Sequence, residues 1–379
     1  MRLLRLFFAL CAGIILSCKE PKMSENGTFL LPLAIPFTYN TINHLFPVVR
    51  ERSVGIVYGE TWAIGTINEN KIKVDVFPEE KFSIPTAKAI AQHNNETLYV
   101  KGDKSVFILN WKDKELSASF SDISKSISVG LDISKVIDRQ NGIVLSLYNY
   151  DDEEMNSHYS FVIDDIANKK RLKEYSLPGF DQGMPAYFTP SFIVFRPDWN
   201  SRWKVLDNSL NETSYPLVDL LNRDLSDSVI AICNDNMFIS EEEKHALIIT
   251  YSKAFNKDML YLARWYDDPE IIPIPIDSAA TAGERRLIKS PNCNTMSPSG
   301  KWVYFATNGG EHLEDTHYLV YLDPTLPNGF LPPFKLGIEG NVEQASWMTT
   351  PEGLVLYKDD SLLYFDLSNF KPQDYAPAK

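Results

Sequence analysis

The sequence predicts an all-β fold and, within that class, a β-propeller of seven blades. Beyond residue 27 it consists of short β-branched and aromatic runs separated by Gly, Pro, Asn and Asp, with no helix-period segment of any length. Turn signals recur near residues 51, 94, 141, 190, 242, 299 and 351, at spacings of 43 to 57 residues. Such spacings are typical of propeller blades, and a single sandwich would not repeat one turn pattern seven times.

The clearest repeat unit lies near residue 299. The turn Ser297–Gly300 precedes two apolar runs, Lys301–Ala306 and His317–Leu322. Proline presets φ early in such a turn and glycine tolerates a positive φ later, so the chain reverses into a hairpin. Similar runs occur at Ala186–Phe188, Phe192–Arg196 and Arg202–Asp207, at Met237–Ile239, His245–Tyr251 and Met259–Trp265, and at Ala345–Met348, Leu354–Lys358 and Leu362–Asp366.

The last unit supplies only three strands. The apolar segment Thr28–Leu33 is free to supply the fourth, so we expect it to pair with Leu362–Asp366 and close the ring. Closure of this kind removes the open edge between the first and last blades. Six blades is the alternative, because the unit from His44 to Val76 is the least regular.

The N-terminus has the pattern of a bacterial lipoprotein signal. Arg2 and Arg5 precede the 11-residue apolar run Leu6–Leu16, which is too short to span a bilayer, and Ile15–Cys18 has the order of a lipobox. We therefore expect a signal peptide over 1–17, a lipidated Cys18 with a polar tether over 18–27, and one propeller domain over 28–379. An ordinary secretory signal with an incidental cysteine is the alternative.

Charge and cysteine content restrict the partners. The full chain carries a net charge of −13, and loss of the two signal arginines leaves −15. This acidity argues against nucleic acid and against a polybasic membrane-binding surface, so membrane attachment must come from lipid. Cys233 and Cys293 could form a disulfide in an oxidising compartment, but two separate buried thiols are the interpretation we favour.

One blade motif resembles a known family. The stretch Ser297–Phe305 is similar to the Ser-Pro-Asp-Gly-Lys-apolar motif of TolB-like propellers, with Ser299 in place of the aspartate. Together with the lipobox, the chain resembles secreted propeller lipoproteins of Bacteroidetes, and Lys19-Glu20 resembles the charged export signals of surface lipoproteins in such bacteria. The resemblance implies a fold and a location at the outer membrane of a Gram-negative bacterium, on its periplasmic or cell-surface side. It brings no catalytic residues.

The long loops are the candidate binding surface. Connections between second and third strands emerge at one end of a propeller, opposite the short first turns. One of them places Arg196, Asp198, Trp199, Arg202 and Trp203 in a single hairpin, which suits stacking on sugars or anchoring a protein, although Trp203 could instead belong to the core. The predicted loops are Asn149–Ser157, Pro197–Ser201, Ser252–Asp258 and Thr307–Thr316.

Two loops contain groups that could bind a cation. Asp151–Glu154 lacks the alternating spacing of a calcium loop. His312, Glu314, Asp315 and His317 could furnish ligands for zinc, and His312 and Glu314 could equally contact a partner. Nothing else in the sequence indicates a metal, so we predict no metal and no cofactor.

The sequence contains no specific catalytic motif. Gly-x-Ser-x-Gly, His-Glu-x-x-His and the Walker phosphate loop are all absent. We therefore expect an envelope-anchored module that binds or scaffolds a protein or glycan. The alternative is an envelope enzyme of lyase or glycosidase type, whose carboxylates would converge at the mouth of the central channel.

Overall fold

A computed structural model gives the architecture for most of the chain. The residues that the structure describes are 30–34, 42–48, 50–58, 61–68, 71–77, 89–92, 97–101, 106–110, 115–120, 133–138, 141, 143–151, 157–165, 168, 170–180, 185–198, 201–224, 237–252, 257–266, 268–275, 287–289, 296–308, 315–368 and 370–371. Within these residues the chain forms 27 strands and a single helix. The predicted all-β class is confirmed.

The strands form seven antiparallel sheets, which we number in chain order. Sheet 1 contains β2 (Ile42–Pro47), β3 (Ser53–Tyr58), β4 (Thr61–Asn68) and β5 (Lys71–Val76). Sheet 2 contains β6 (Ala89–Gln92), β7 (Thr97–Lys101), β8 (Val106–Asn110) and β9 (Glu115–Phe120). Sheet 3 contains β10 (Ile133–Asp138), β11 (Ile143–Asp151), β12 (Ser157–Asp165) and β13 (Lys170–Ser176).

The C-terminal half follows the same order. Sheet 4 contains β14 (Ala186–Phe188), β15 (Phe192–Phe195) and β16 (Lys204–Asp207), and sheet 5 contains β17 (Met237–Ser240), β18 (His245–Ser252), β19 (Lys257–Arg264) and β20 (Glu270–Ile274). Sheet 6 contains β21 (Leu287–Lys289), β22 (Trp302–Asn308), β23 (Thr316–Tyr321) and β24 (Phe334–Glu339). Sheet 7 contains β25 (Gln344–Thr349), β26 (Glu352–Lys358), β27 (Ser361–Asp366) and, from the N-terminus, β1 (Leu30–Ala34).

The N-terminal strand joins the last sheet, as the sequence predicts. β1 runs antiparallel to β27, with Leu30 opposite Phe365 and Ala34 opposite Ser361. Sheet 7 therefore has four strands although its own repeat unit supplies three. Residues 28 and 29 of the predicted strand lie outside the described residues.

The predicted turn positions fall where the repeat requires them. Each lies between the first and second strands of a sheet, including the turn near residue 94, whose own residues lie outside the described part. In sheet 6, Gly300 adopts a φ of +74°, as expected for a residue late in a Pro-Gly turn. The unit from His44 to Val76, the least regular in sequence, forms the complete four-stranded sheet 1.

Sheet 4 departs from the expectation of four strands. Its fourth position is reduced to a bridge between Leu206 and Glu212, and the helix α1 (Pro216–Asp224) follows. The prediction that no helix would occur was therefore wrong. Pro216 suits the first turn of a helix, and the spacing of Leu217, Leu220 and Leu221 places these buried side chains on one face.

The hydrophobic core is divided among the seams between consecutive sheets. Separate clusters of buried residues join sheets 3 and 4, sheets 4 and 5, sheets 5 and 6, and sheets 6 and 7. A further cluster joins the last sheet to the first, where Met348 and Val355 pack with Ile42, Leu45 and Ile56. Helix α1 packs into the seam between sheets 4 and 5 through Leu217 and Leu221.

Candidate functional site

The two ends of the sheets are built differently. At one end, which we call the turn face, lie the first turns at residues 50–52, 189–191, 241–244, 297–301 and 350–352. At the opposite end, which we call the loop face, lie the connections between second and third strands, including residues 196–203 and the hairpin Asp359-Asp360. All four predicted loops fall between second and third strands. Their ends are a correction, because residues 149–151, 157, 252, 257–258, 307–308 and 316 belong to the flanking strands.

At the turn face, hydrogen bonds join the turns of neighbouring sheets. Glu241 of sheet 5 accepts a hydrogen bond from the backbone N–H of Ser191 in sheet 4, at 2.7 Å, and from the hydroxyl of Thr189. Glu352 of sheet 7 repeats this arrangement on sheet 6, accepting from the N–H of Ser299 at 3.2 Å and from its hydroxyl at 3.0 Å. A glutamate side chain thus joins sheet 4 to sheet 5 and another joins sheet 6 to sheet 7.

Two further hydrogen bonds join neighbouring sheets at this face. His245 of sheet 5 is buried, and its Nε2 donates to the carbonyl of Gly300 in sheet 6 at 2.8 Å. Burial lowers the pKa of His245 to about 4, so the neutral ring is the form that makes this bond near neutral pH. The N–H of Arg52 in sheet 1 donates to the carbonyl of Thr350 in sheet 7 at 2.6 Å. The turns of sheets 4, 5, 6, 7 and 1 are therefore joined in succession.

The loop of sheet 4 is the best described part of the loop face. Arg196 is half-buried, and its Nε donates to the carbonyl of Ser201 at 2.9 Å. The hydroxyl of Ser201 donates to Asp198, and its N–H donates to the carbonyl of Asp198 at 3.1 Å. Two of the predicted binding residues, Arg196 and Asp198, thus hold the loop in shape.

The end of this loop is fixed by the helix. Trp203 is buried with 7% of its surface exposed, and its ring stacks on Tyr187 at a centroid distance of 6.1 Å. Asn222 of α1 accepts from the N–H of Trp203 at 2.9 Å and donates to its carbonyl at 3.1 Å. Trp203 is therefore a core residue, the second of the two interpretations drawn from the sequence. Arg202, directly before it, is exposed.

Most of the other predicted site residues lie outside the described residues: Cys18, Trp199, Cys233, Cys293, His312 and Glu314.

Of the histidine-rich loop, the structure describes Asp315 and His317. His317 is fully buried, its Nδ1 lies 2.9 Å from the hydroxyl of Tyr304, and its Nε2 lies 2.7 Å from the carbonyl of Gly340. Both ring nitrogens of His317 are thus engaged within the protein. In the described part of the chain, no three His, Cys, Asp or Glu side chains are grouped to hold a metal ion.

Sequence reasoning missed a polar pair in the seam between sheets 7 and 1. Gln344 and Ser346 lie on β25 with 7% and 2% of their surfaces exposed, and their side-chain oxygens hydrogen-bond to no residue that the structure describes. Their cross-strand partners Tyr357 and Val355 belong to the core cluster shared with sheet 1, so the pair faces that sheet. No motif marks these residues, because only the packing of the last sheet on the first buries them.

The comparisons with known proteins identify the fold. No family model matches the chain, and no curated protein sequence matches it. Among solved structures, the chain is similar to the Myceliophteria thermophila Cps50 (Swd1) beta-propeller domain, with a TM-score of 0.50 at 8% identity over 89% of this chain and 99% of that one. It also matches Kuenenia stuttgartiensis hydrazine synthase, with a TM-score of 0.49 at 10% identity over 87% of this chain and 97% of that one. The first likeness shows a propeller fold, and at this identity it shows the fold alone.

The described part of the chain contains no helix long and apolar enough to cross a membrane.

Proposed function

We propose that this protein is a lipid-anchored, seven-bladed β-propeller that binds a protein or glycan partner through its loop face. The observation that carries the binding role is the contrast between the two faces. Hydrogen bonds between sheets tie the described first turns of one end together, whereas at the other end the connection of sheet 4 runs over residues 196–203, with Arg202 exposed beside a loop held in shape by Arg196 and Asp198. Binding residues are commonly displayed in this way on loops that a rigid scaffold positions.

The order of the sheets supports seven blades in a closed ring. Each of the seven repeat units corresponds to one sheet, and the irregular unit from His44 to Val76 forms a sheet of its own, which favours seven blades over six. The core cluster between sheets 7 and 1 and the pairing of β1 with β27 both bring the end of the chain back to its beginning. These contacts support closure by the N-terminal strand.

Attachment to the outer membrane rests on the lipobox at Ile15–Cys18. Cleavage before Cys18 and acylation of its thiol would provide an anchor that the acidic domain does not supply through charge. Metabolic labelling with a fatty-acid analogue should mark the wild type and leave Cys18→Ala unlabelled. Equal labelling of the two proteins would refute the anchor.

The binding face is tested by photo-crosslinking in intact cells. A photoreactive amino acid replaces the exposed Arg202 on the loop face or, as the matched control, the exposed Glu242 on the turn face. Arg202 should give a discrete adduct with a protein or a polysaccharide, and Glu242 should not. Adducts from Glu242 alone, or the same adducts from both positions, would show that the partner does not bind the loop face.

Trp199 is the proposed anchor within that face. Trp199→Ala should weaken the partner complex by about 2 kcal/mol or more, as expected for an aromatic anchor at an interface. The Arg202 adduct identifies the partner, and the affinity is then measured by titrating the purified partner. Glu242→Ala serves as the control and should leave affinity unchanged. Undiminished binding by Trp199→Ala would exclude Trp199 as the anchor.

A further inference from the structure

The direction of β1 determines where the N-terminal tether leaves the propeller. β27 begins at Ser361, next to the loop-face hairpin Asp359-Asp360, and ends at Asp366. Because β1 is antiparallel to β27, with Leu30 opposite Phe365 and Ala34 opposite Ser361, it begins near the turn face and ends near the loop face.

The neighbours of the end of β27 identify that face directly. Asp366 lies opposite Gly353, and the N–H of Leu367 donates to the carbonyl of Glu352 at 3.2 Å. Glu352 is the residue that fastens the turn of sheet 7 to the turn of sheet 6. Leu30, opposite Phe365, therefore lies within one or two residues of the turn face. The chain that precedes Leu30 enters the fold at this end.

We propose that the anchor holds the turn face toward the membrane and presents the loop face to the aqueous space. This inference rests on the proposed lipidation of Cys18. Eleven residues, 19–29, separate that cysteine from Leu30. For a random coil of eleven residues the root-mean-square end-to-end distance is about 19 Å, similar to the height of about 20 Å of a six-residue strand. Turning the loop face to the membrane would require most of the tether to run along the height of the propeller.

The first turns of the turn face carry charged side chains of both signs. The exposed charged side chains of its described first turns are Arg50, Arg52, Lys244 and Lys301, which are positive, and Glu51 and Glu242, which are negative. The half-buried glutamates of these turns are engaged within the protein: Glu241 and Glu352 accept the inter-sheet hydrogen bonds, and Glu243 lies 3.8 Å from the ammonium of Lys301. The connections between third and fourth strands lie at the same end and add exposed Lys170, Glu212 and Asp268, so the exposed charges of this face are of both signs and the position of the tether carries the proposal.

Energy transfer to the lipid surface tests the orientation. The full-length lipidated protein is reconstituted into vesicles of phosphatidylethanolamine and phosphatidylglycerol that carry acceptor dyes on their headgroups. A donor dye is attached through an encoded azido amino acid at either Glu242 or Arg202, both exposed, and unchanged melting of each variant verifies its fold. Transfer should be greater from Glu242 than from Arg202. Equal transfer from both sites, or greater transfer from Arg202, would overturn the proposal.

Two controls separate this inference from the anchor on which it rests. The wild type should float with the vesicles and Cys18→Ala should not; failure of the wild type to float would refute the anchor itself, whereas flotation with equal transfer would refute only the orientation. Inserting about 40 Gly/Ser residues after Glu20 should extend the tether to a span of about 40 Å and remove most of the difference in transfer. A difference that persists with the long tether would show that the tether does not set the orientation.

Discussion

Replacing Gly300 by alanine should destabilise the protein by about 2–4 kcal/mol, because two costs meet at one residue. The φ of +74° is strained for a residue with a Cβ, at about 1 kcal/mol. The new Cβ would also lie 2.4 Å from the Oγ and 2.8 Å from the Cβ of Ser240 in the neighbouring sheet. Overpacking of this kind typically costs about 1–3 kcal/mol. The second cost arises only if sheets 5 and 6 dock through their turns as described.

Gly179 provides the matched control for the backbone term. Its φ of +80° is similar, and a Cβ added there would meet no heavy atom of the described residues within 4 Å. Gly179→Ala should therefore cost about 1 kcal/mol, the backbone strain alone. Urea unfolding of the two variants gives both values. Equal destabilisation of Gly300→Ala and Gly179→Ala would refute the docking of the two turns.

A double mutant separates the inter-sheet contact from other effects. Ser240→Gly removes the two nearest atoms that Gly300→Ala would meet and leaves Glu243 Cγ at 3.2 Å. It does so at the cost of the hydrogen bond that the Ser240 hydroxyl accepts from the N–H of Glu243 at 3.3 Å. In a double-mutant cycle the two substitutions should couple favourably by about 1–2 kcal/mol. Additive effects would show that the two residues do not touch.

Three further predictions concern buried and turn-face polar groups. The folded-state pKa of His245, about 4, lies below its unfolded value of 6.5, so the stability that the neutral ring confers is present above pH 6.5 and is lost as the pH falls toward 4. Between pH 6.5 and 5 the loss should be about 2 kcal/mol. His245→Gln should remove that part of the pH dependence in urea unfolding. Ser346→Ala should not destabilise the protein and should raise the free energy of unfolding by up to about 1 kcal/mol, because it removes a buried hydroxyl that bonds to no described residue. Ser297→Ala removes an oxygen that accepts a backbone N–H at 3.1 Å and should cost about 1 kcal/mol in the same assay. Glu352→Ala should cost about 1–2 kcal/mol in thermal unfolding, because it leaves the N–H and hydroxyl of Ser299 without their acceptor, and an unchanged melting temperature would contradict the role of Glu352 in joining the sheets.

The turns could be predicted from the sequence because their chemistry is local. Pro298 and Gly300 favour particular backbone angles whatever surrounds them, and the same holds for the Asp359-Asp360 hairpin, whose two residues have φ values of 48° and 56°. The N-terminal pairing could be predicted because the last unit lacked a strand and Thr28–Leu33 was the available apolar segment. Helix α1 was missed because nine residues give a weak periodic signal within a repeat that predicts strands.

The contacts that define the two faces could not be predicted from the sequence. Glu241 and Glu352 occur in turns that depart from the TolB-like motif, and their role appears only when a neighbouring sheet brings Ser191 or Ser299 within reach. The composition of the sheet 4 loop indicated binding, but the assignment of Trp203 to the core depends on the packing of α1. Such contacts join residues far apart in the chain, and local propensity carries no information about them.

The central claim is that the N-terminal strand completes the last sheet, and amide hydrogen exchange of the peptide Ser361–Asp366 tests it most directly. Along β27 successive amides point alternately toward β26 and β1, so removal of β1 should expose about half of them. Deleting residues 19–26 should leave exchange of this peptide as it is in the full-length protein, whereas deleting residues 19–34 should abolish protection of that half. Equal protection in the two truncated proteins would show that β1 does not pair with β27 and that the ring is not closed by the N-terminus.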